Sequence, residues 1–190
     1  MPKTFSYCEA LTPPPWIRED ILKGKPKPGT TAISFEHANL ENRIHVKAIR
    51  KLLSEYMADS MGGKLPPHSD AVHKRMIAGL SCMSTAIVML AYKRKNPVGM
   101  AICFAGFSTF SAAPLINIHD IIVSKKFRGI GIGKGLLQEI ENLAVTIRCC
   151  KMTLEVRHDN WVAKSLYKRI GFTRGDTPMD FLTRNLYGNS

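Results

Sequence analysis

The sequence predicts an α/β (α+β) fold, one mixed sheet with helices on its faces. Three observations point there. Apolar, branched runs such as "TAIVMLAYK" (85–93) and "LINIHDIIV" (115–123) read as strands. Apolar residues at helical spacing form stripes between them, as at Leu136, Ile140, Leu143 and Ile147. A glycine-rich turn, "FRGIGIGKGLL" (127–137), joins the last long strand to the next helix. Such a strand–turn–helix join is a common anion site.

Taken in order, residues 1–30 carry "TPPPW" and "KGKPKPGTT" and read as an irregular, proline-rich extension. A single domain is expected over 31–190. "TAISF" (31–35) is a candidate first strand. Val46, Ile49, Leu53 and Tyr56 then mark a helix that "MGGKLPPHSD" (61–70) terminates. Ser69 or Asp70 caps a second helix running to about Leu80. Strands follow at 85–93, 98–107 and 115–123, the first two joined through "KNP". The helix after the glycine turn leads to a strand at 151–156. A short helix at 160–172 has Asn160 as cap and Gly171 as terminator. "MDFLTRNL" (179–186) is expected to be a final strand.

Composition narrows the function classes. The net charge of +12 favours polyanionic partners or a phosphate-rich cofactor and disfavours a polycationic substrate. No apolar run reaches membrane-spanning length, and the N-terminus lacks the apolar core of a signal peptide, so a cytoplasmic location is expected. Cysteines at 8, 82, 103, 149 and 150 are odd in number and form no CxxC, which predicts unpaired thiols and no metal site. The basic residues lack interleaved aromatics, so nucleic acid is not the expected partner.

The glycine turn fails two phosphate-binding patterns. A P-loop would need glycine at Arg128 and Ser or Thr at Gly135. A dinucleotide fingerprint would need glycine at Lys134 or Leu136. R-x-x-G-x-G does fit, on Arg128, Gly131 and Gly133. About thirty residues later stands N-x-x-A-x-x-x-Y-x-x-x-G-F, on Asn160, Ala163, Tyr167, Gly171 and Phe172. Together these resemble the two motifs of the GNAT N-acetyltransferase superfamily, over roughly residues 85–186. "FSTF" (107–110), "HDIIV" and "SLYKRIGF" look most like its diamine and polyamine acetyltransferase branch. That branch carries two acidic residues where this chain has His119–Asp120.

The resemblance implies a mostly antiparallel mixed sheet flanked by helices. It also implies acetyl-CoA as cosubstrate and transfer of its acetyl group to a primary amine of a small molecule by direct attack in a ternary complex. Acetylation of a protein N-terminus or lysine, and CoA binding without turnover, are the alternatives. By resemblance, the backbone of Ile121, Ile122 and Val123 pairs with the pantetheine arm. Arg128, Gly129, Ile130, Gly131, Ile132, Gly133 and Lys134 hold the pyrophosphate. Asn160 and Ala163 border the cofactor, and Lys168 or Arg169 are candidates for the adenosine phosphates. Tyr167 matches the tyrosine that protonates the departing sulfur; packing on an amphipathic helix is its structural alternative. His119 falls where the branch has a glutamate base, and imidazole can serve as a base near neutral pH. Asp120 is the candidate amine contact. Each has a plain alternative as a side chain bonded within its own sheet. The acceptor pocket is expected near Glu55, Tyr56, Asp59 and 61–68, with Met57 and Met61 as packing. A homodimer is compatible with all of this.

Overall fold

The computed structural model describes residues 33–175 and 180–186. Strand β1 (Ile33–His37) is followed by helices α1 (Arg43–Met57) and α2 (Asp70–Cys82). Strands β2 (Ala86–Lys93), β3 (Asn96–Ser108) and β4 (Ala113–Val123) come next. A short 3-10 turn (Lys125–Phe127) leads into α3 (Ile132–Thr146), then β5 (Lys151–Leu154) and α4 (Trp161–Ile170). The five strands lie in chain order, antiparallel from β1 to β4, with β5 parallel to β4. The expected sheet architecture is therefore present. Among the described residues no helix is long and apolar enough to cross a membrane.

Strand alternation divides the core in two. Ile87, Met89 and Ala91 of β2 face the α3 side, where they meet Leu136, Leu137 and Ile140. Val88, Leu90 and Tyr92 face the other side, against Ala48, Ile49 and Leu52 of α1. The buried stripe of α1 is thus centred on Ala48, Ile49 and Leu52. Val46, Leu53 and Tyr56 from the expected stripe flank it, half-buried. Capping follows the side-chain logic read from sequence. Ser69 Oγ accepts from Val72 N at the start of α2. Asn160 Oδ1 accepts from Ala163 N at the start of α4, and Gly171 ends it with φ 98°.

Three expectations are corrected. Residues 180–186 belong to no strand, and Phe181, Leu182 and Leu186 are exposed; residue 179 and the extension at 1–30 lie outside the described residues. β5 stops at Leu154 instead of 156 because its pairing with β4 ends at Ile118↔Leu154. Cys103, Cys149 and Cys150 are free thiols, but Cys82 is disulfide-bonded.

Gly135 explains itself by packing alone. A Cβ there would enter the ring of Phe35 on β1, so α3 can approach the sheet only without a side chain at that point. Gly135→Ala is expected to push the ring aside and to lower stability by about 1–3 kcal/mol, the usual cost of overpacking. A thermal melt checks this, and CoA affinity should be unaffected.

Candidate active site

The site begins with a flaw in the sheet. β3 and β4 pair Ile102 with Asp120 but Cys103 with Ile118, so His119 is an extra residue, a β-bulge. A bulge reverses which residues face which side. Before it, Ile116 and Ile118 pack on the α3 side; after it, Ile122 packs on the α1 side and Ile121 and Val123 on the α3 side. Asp120 consequently points toward α1 and away from the α3 core. The His119 ring leans edge-on against Phe104, 5.7 Å between centroids. Its Nδ1 lies 3.0 Å from Asp120 Oδ2. The His119 side chain is 64% exposed and that of Asp120 28%, so water reaches the imidazole while the carboxylate is partly sheltered.

At the same height the sheet opens. Asn117 Nδ2 donates to Thr153 Oγ1 one step before the last pair. Beyond Ile118 β4 continues to Val123 without β5 beside it. Backbone groups of residues 119–123 on that edge therefore lack a strand partner among the described residues, which leaves room for an extended chain to pair there.

The glycine turn closes the end of this gap. Gly129 and Gly131 have φ of 81° and 91°, a region that side chains other than glycine's seldom adopt. A Cβ at either position would meet open space. Gly131 is the N-cap of α3 and supplies no side-chain cap, so the first N–H groups of the helix have no intrahelical acceptor. Positive helix end, bare amides and empty volume suit an anion such as a pyrophosphate. Gly133 serves a different purpose: a Cβ there would press on Leu166 of α4. Ile132 is buried in the core, so only its backbone can reach a ligand, whereas Ile130 and Lys134 are exposed.

Tyr167 lies on the α3 side of the sheet. It is 7% exposed and packs edge-on with Phe172 at 5.8 Å. Burial, with a further push from Tyr56, raises its pKa to about 12, so the hydroxyl stays protonated. Asn160 and Ala163 stand at the start of the same helix, where Asn160 Oδ1 is already used as the cap. Lys168 and Arg169 lie in its last turn, remote from that start.

Tyr56 approaches from the opposite face, at the end of α1. Burial and then the Asp120 charge raise its pKa, with Arg157 and Arg128 opposing. It lines a cleft of about 610 Å³ with Asp59, Ile122, Ser124, Lys125 and Arg128. The loop after α1 is folded tightly onto the helix. Gly62 abuts the Tyr56 carbonyl so closely that a Cβ would overlap it, and Leu65 N donates to Met57 O at 2.7 Å. Met57 is buried in this packing. Asp59 Oδ1 accepts from Met61 N at 3.0 Å. That N–H, and then the Arg128 guanidinium, hold the Asp59 carboxyl below the usual range.

The structure thus places Tyr56, Asp120 and His119, against Phe104, on the α1 side of the sheet and Tyr167 in the core on the α3 side, with the glycine turn following the end of β4. Sequence reading had no sign of Arg157, which lies beyond β5 with Asp159 as its partner at 2.7 Å. Among the described residues no group of three or more His, Cys, Asp or Glu side chains is arranged to hold a metal ion.

Known proteins resemble this chain in sequence and in fold. The chain is 37% identical over 78 residues to an N-alpha-acetyltransferase, RimI, of Mycobacterium tuberculosis, a stretch covering 40% of this chain and 48% of that one. It is 28% identical over 92 residues to the thialysine N-epsilon-acetyltransferase of Bos taurus, covering 47% and 54% respectively. The matched stretches thus span about half the length of these relatives. In fold it is similar to a ribosomal-protein-alanine N-acetyltransferase from Brucella melitensis biovar Abortus, with a TM-score of 0.64 and 18% identity over 80% of this chain and 100% of that one. The sequence profile described as Acetyltransferase (GNAT) family matches residues 48–172, well over half of the chain, so this protein belongs to the GNAT acetyltransferase family.

Proposed function

We propose that this protein is an acetyl-CoA-dependent N-acetyltransferase that acts on a primary amine by direct attack in a ternary complex. The observation that carries the reading is the end of β4, which runs past β5 without a strand beside it and leads into the glycine turn, with Asp120 on the α1 side of the sheet and Tyr167 on the α3 side. Gly129–Lys134 would hold the diphosphate through backbone N–H groups, and the free edge at Ile121–Val123 would pair with the pantetheine arm. When bound, the cosubstrate supplies a thioester carbon open to attack.

The residues of this chain then manage two protons. An alkyl ammonium is protonated at neutral pH and cannot attack until it loses one. His119, hydrated and beside Asp120, takes that proton directly or through water. Nitrogen forms the new bond to carbon as the carbon–sulfur bond breaks. Tyr167, held protonated by burial, gives its proton to the departing sulfur.

For the acceptor we infer a small primary amine, drawn into the cleft that Tyr56 lines, where the Asp120 charge acts on Tyr56. The second reading, a protein N-terminus, is favoured by the likeness to RimI. The polyamine branch has weaker support, since His119 stands in place of one of its two acidic residues and the chain is strongly basic. Thiol release from acetyl-CoA with a panel of small amines and N-terminal peptides tests both. Turnover with small amines supports the first reading, turnover with peptides alone the second, and none with any acceptor refutes the enzyme. His119→Ala is expected to slow turnover by about 10²-fold or more, as loss of a general base does, with CoA affinity retained. An unchanged rate would assign the base role to solvent.

A further inference from the structure

One ion pair joins the two walls of the cleft. Arg128 Nη2 lies 3.2 Å from Asp59 Oδ2, and Arg128 Nε donates to Val123 O at 3.1 Å. Arg128 opens the glycine turn; Asp59 follows α1, the acceptor-side helix. The two halves differ in exposure. The Asp59 side chain is 11% exposed and that of Arg128 43%, so the carboxylate is enclosed and the guanidinium reaches solvent.

Asp59 is also tied into its loop by hydrogen bonds. Its Oδ1 is tied to Met61 N, and its own carbonyl receives the N–H groups of Gly62 and Lys64. Asp59 is therefore a fixed point from which the guanidinium is held. An arginine has five N–H donors in a planar fork. Val123 and Asp59 engage Nε and Nη2, so Nη1 and the remaining Nη2 hydrogen are left for another acceptor. A guanidinium fixed in this way is suited to a phosphate, whose oxygens match the fork.

We propose that Asp59 is a positioning residue for the diphosphate of the cosubstrate, acting through Arg128. The proposal rests on the acetyltransferase reading and deepens it: a residue of the acceptor wall sets cofactor affinity. A charge on Asp59 would by itself repel a diphosphate. Its pairing with Arg128 removes that repulsion and orients the donors, so loss of the carboxylate leaves a loose arginine in place of an aimed one.

The test is calorimetric binding of CoA to the full chain, wild type against Asp59→Asn, Arg128→Gln and the double variant. Asparagine keeps an oxygen for Met61 N–H, and a thermal melt establishes that each variant folds. Asp59→Asn is expected to weaken CoA by roughly five- to tenfold, the size of a coupling between residues in contact. The double variant should bind no more weakly than Arg128→Gln alone, because Asp59 has nothing left to position. Pantetheine, which lacks the diphosphate, should bind wild type and Asp59→Asn equally. Unchanged or tighter CoA binding by folded Asp59→Asn, additive losses in the double variant, or an equal loss with pantetheine would each overturn the role of Asp59. A wild-type protein that binds no CoA would instead refute the acetyltransferase reading.

Discussion

Replacing Tyr167 by phenylalanine is expected to lower turnover by about 10²–10⁴-fold, the range for loss of a general acid, and to leave CoA affinity nearly unchanged. The substitution removes one oxygen and little else. The ring is 7% exposed and meets Phe172 edge-on at 5.8 Å, a contact phenylalanine can keep. Stability should therefore hold, and a melt separates chemistry from folding. The elevated pKa adds a second expectation. A phenol raised to about 12 remains a donor beyond the pH at which a free tyrosine ionises. A basic limb in the wild-type pH–rate profile below about pH 10 then belongs to another group. Full turnover by Tyr167→Phe would leave this side chain a packing role.

The order of elements was legible because each signal is local. Period-two and period-3.6 patterns give β2, β3, β4 and α3, and Ser69, Asn160 and Gly171 mark their helix ends through bonds to near neighbours. The error at 180–186 has the opposite cause. A strand requires a neighbour, and alternation in the sequence does not supply one; Phe181, Leu182 and Leu186 are exposed outside the sheet.

In the site, the same distinction holds. The polar pair His119–Asp120 inside an apolar strand is a local anomaly, since adjacent residues on a regular strand face opposite sides. The bulge resolves it by sending Asp120 toward α1. The four alternating glycines looked like one device and are two. Gly129 and Gly131 have positive φ, whereas Gly135 makes room for Phe35, a hundred positions earlier in the chain. Neither that contact nor the Arg128–Asp59 pair leaves a pattern within a local window, so both required the fold.

Gly131→Val is expected to remove most CoA affinity while the protein still folds. The position has φ 91°, and a β-branched residue held there costs about 1–3 kcal/mol. No protein atom lies within reach of the added Cβ, so the side chain would project into the volume that the diphosphate needs. Strain and obstruction can be separated with Gly171→Val. Gly171 ends α4 with φ 98° and also has open space at its Cβ, so it carries a similar strain away from the glycine turn. Both variants should melt lower by several degrees, as about 1 kcal/mol or more demands in a domain of this size. Only Gly131→Val should lose CoA binding, by tenfold or more for each about 1.4 kcal/mol of lost contact. Equal CoA affinity in folded Gly131→Val, or an equal loss in Gly171→Val, would mean that the turn owes its glycines to chain geometry and that the anion binds elsewhere.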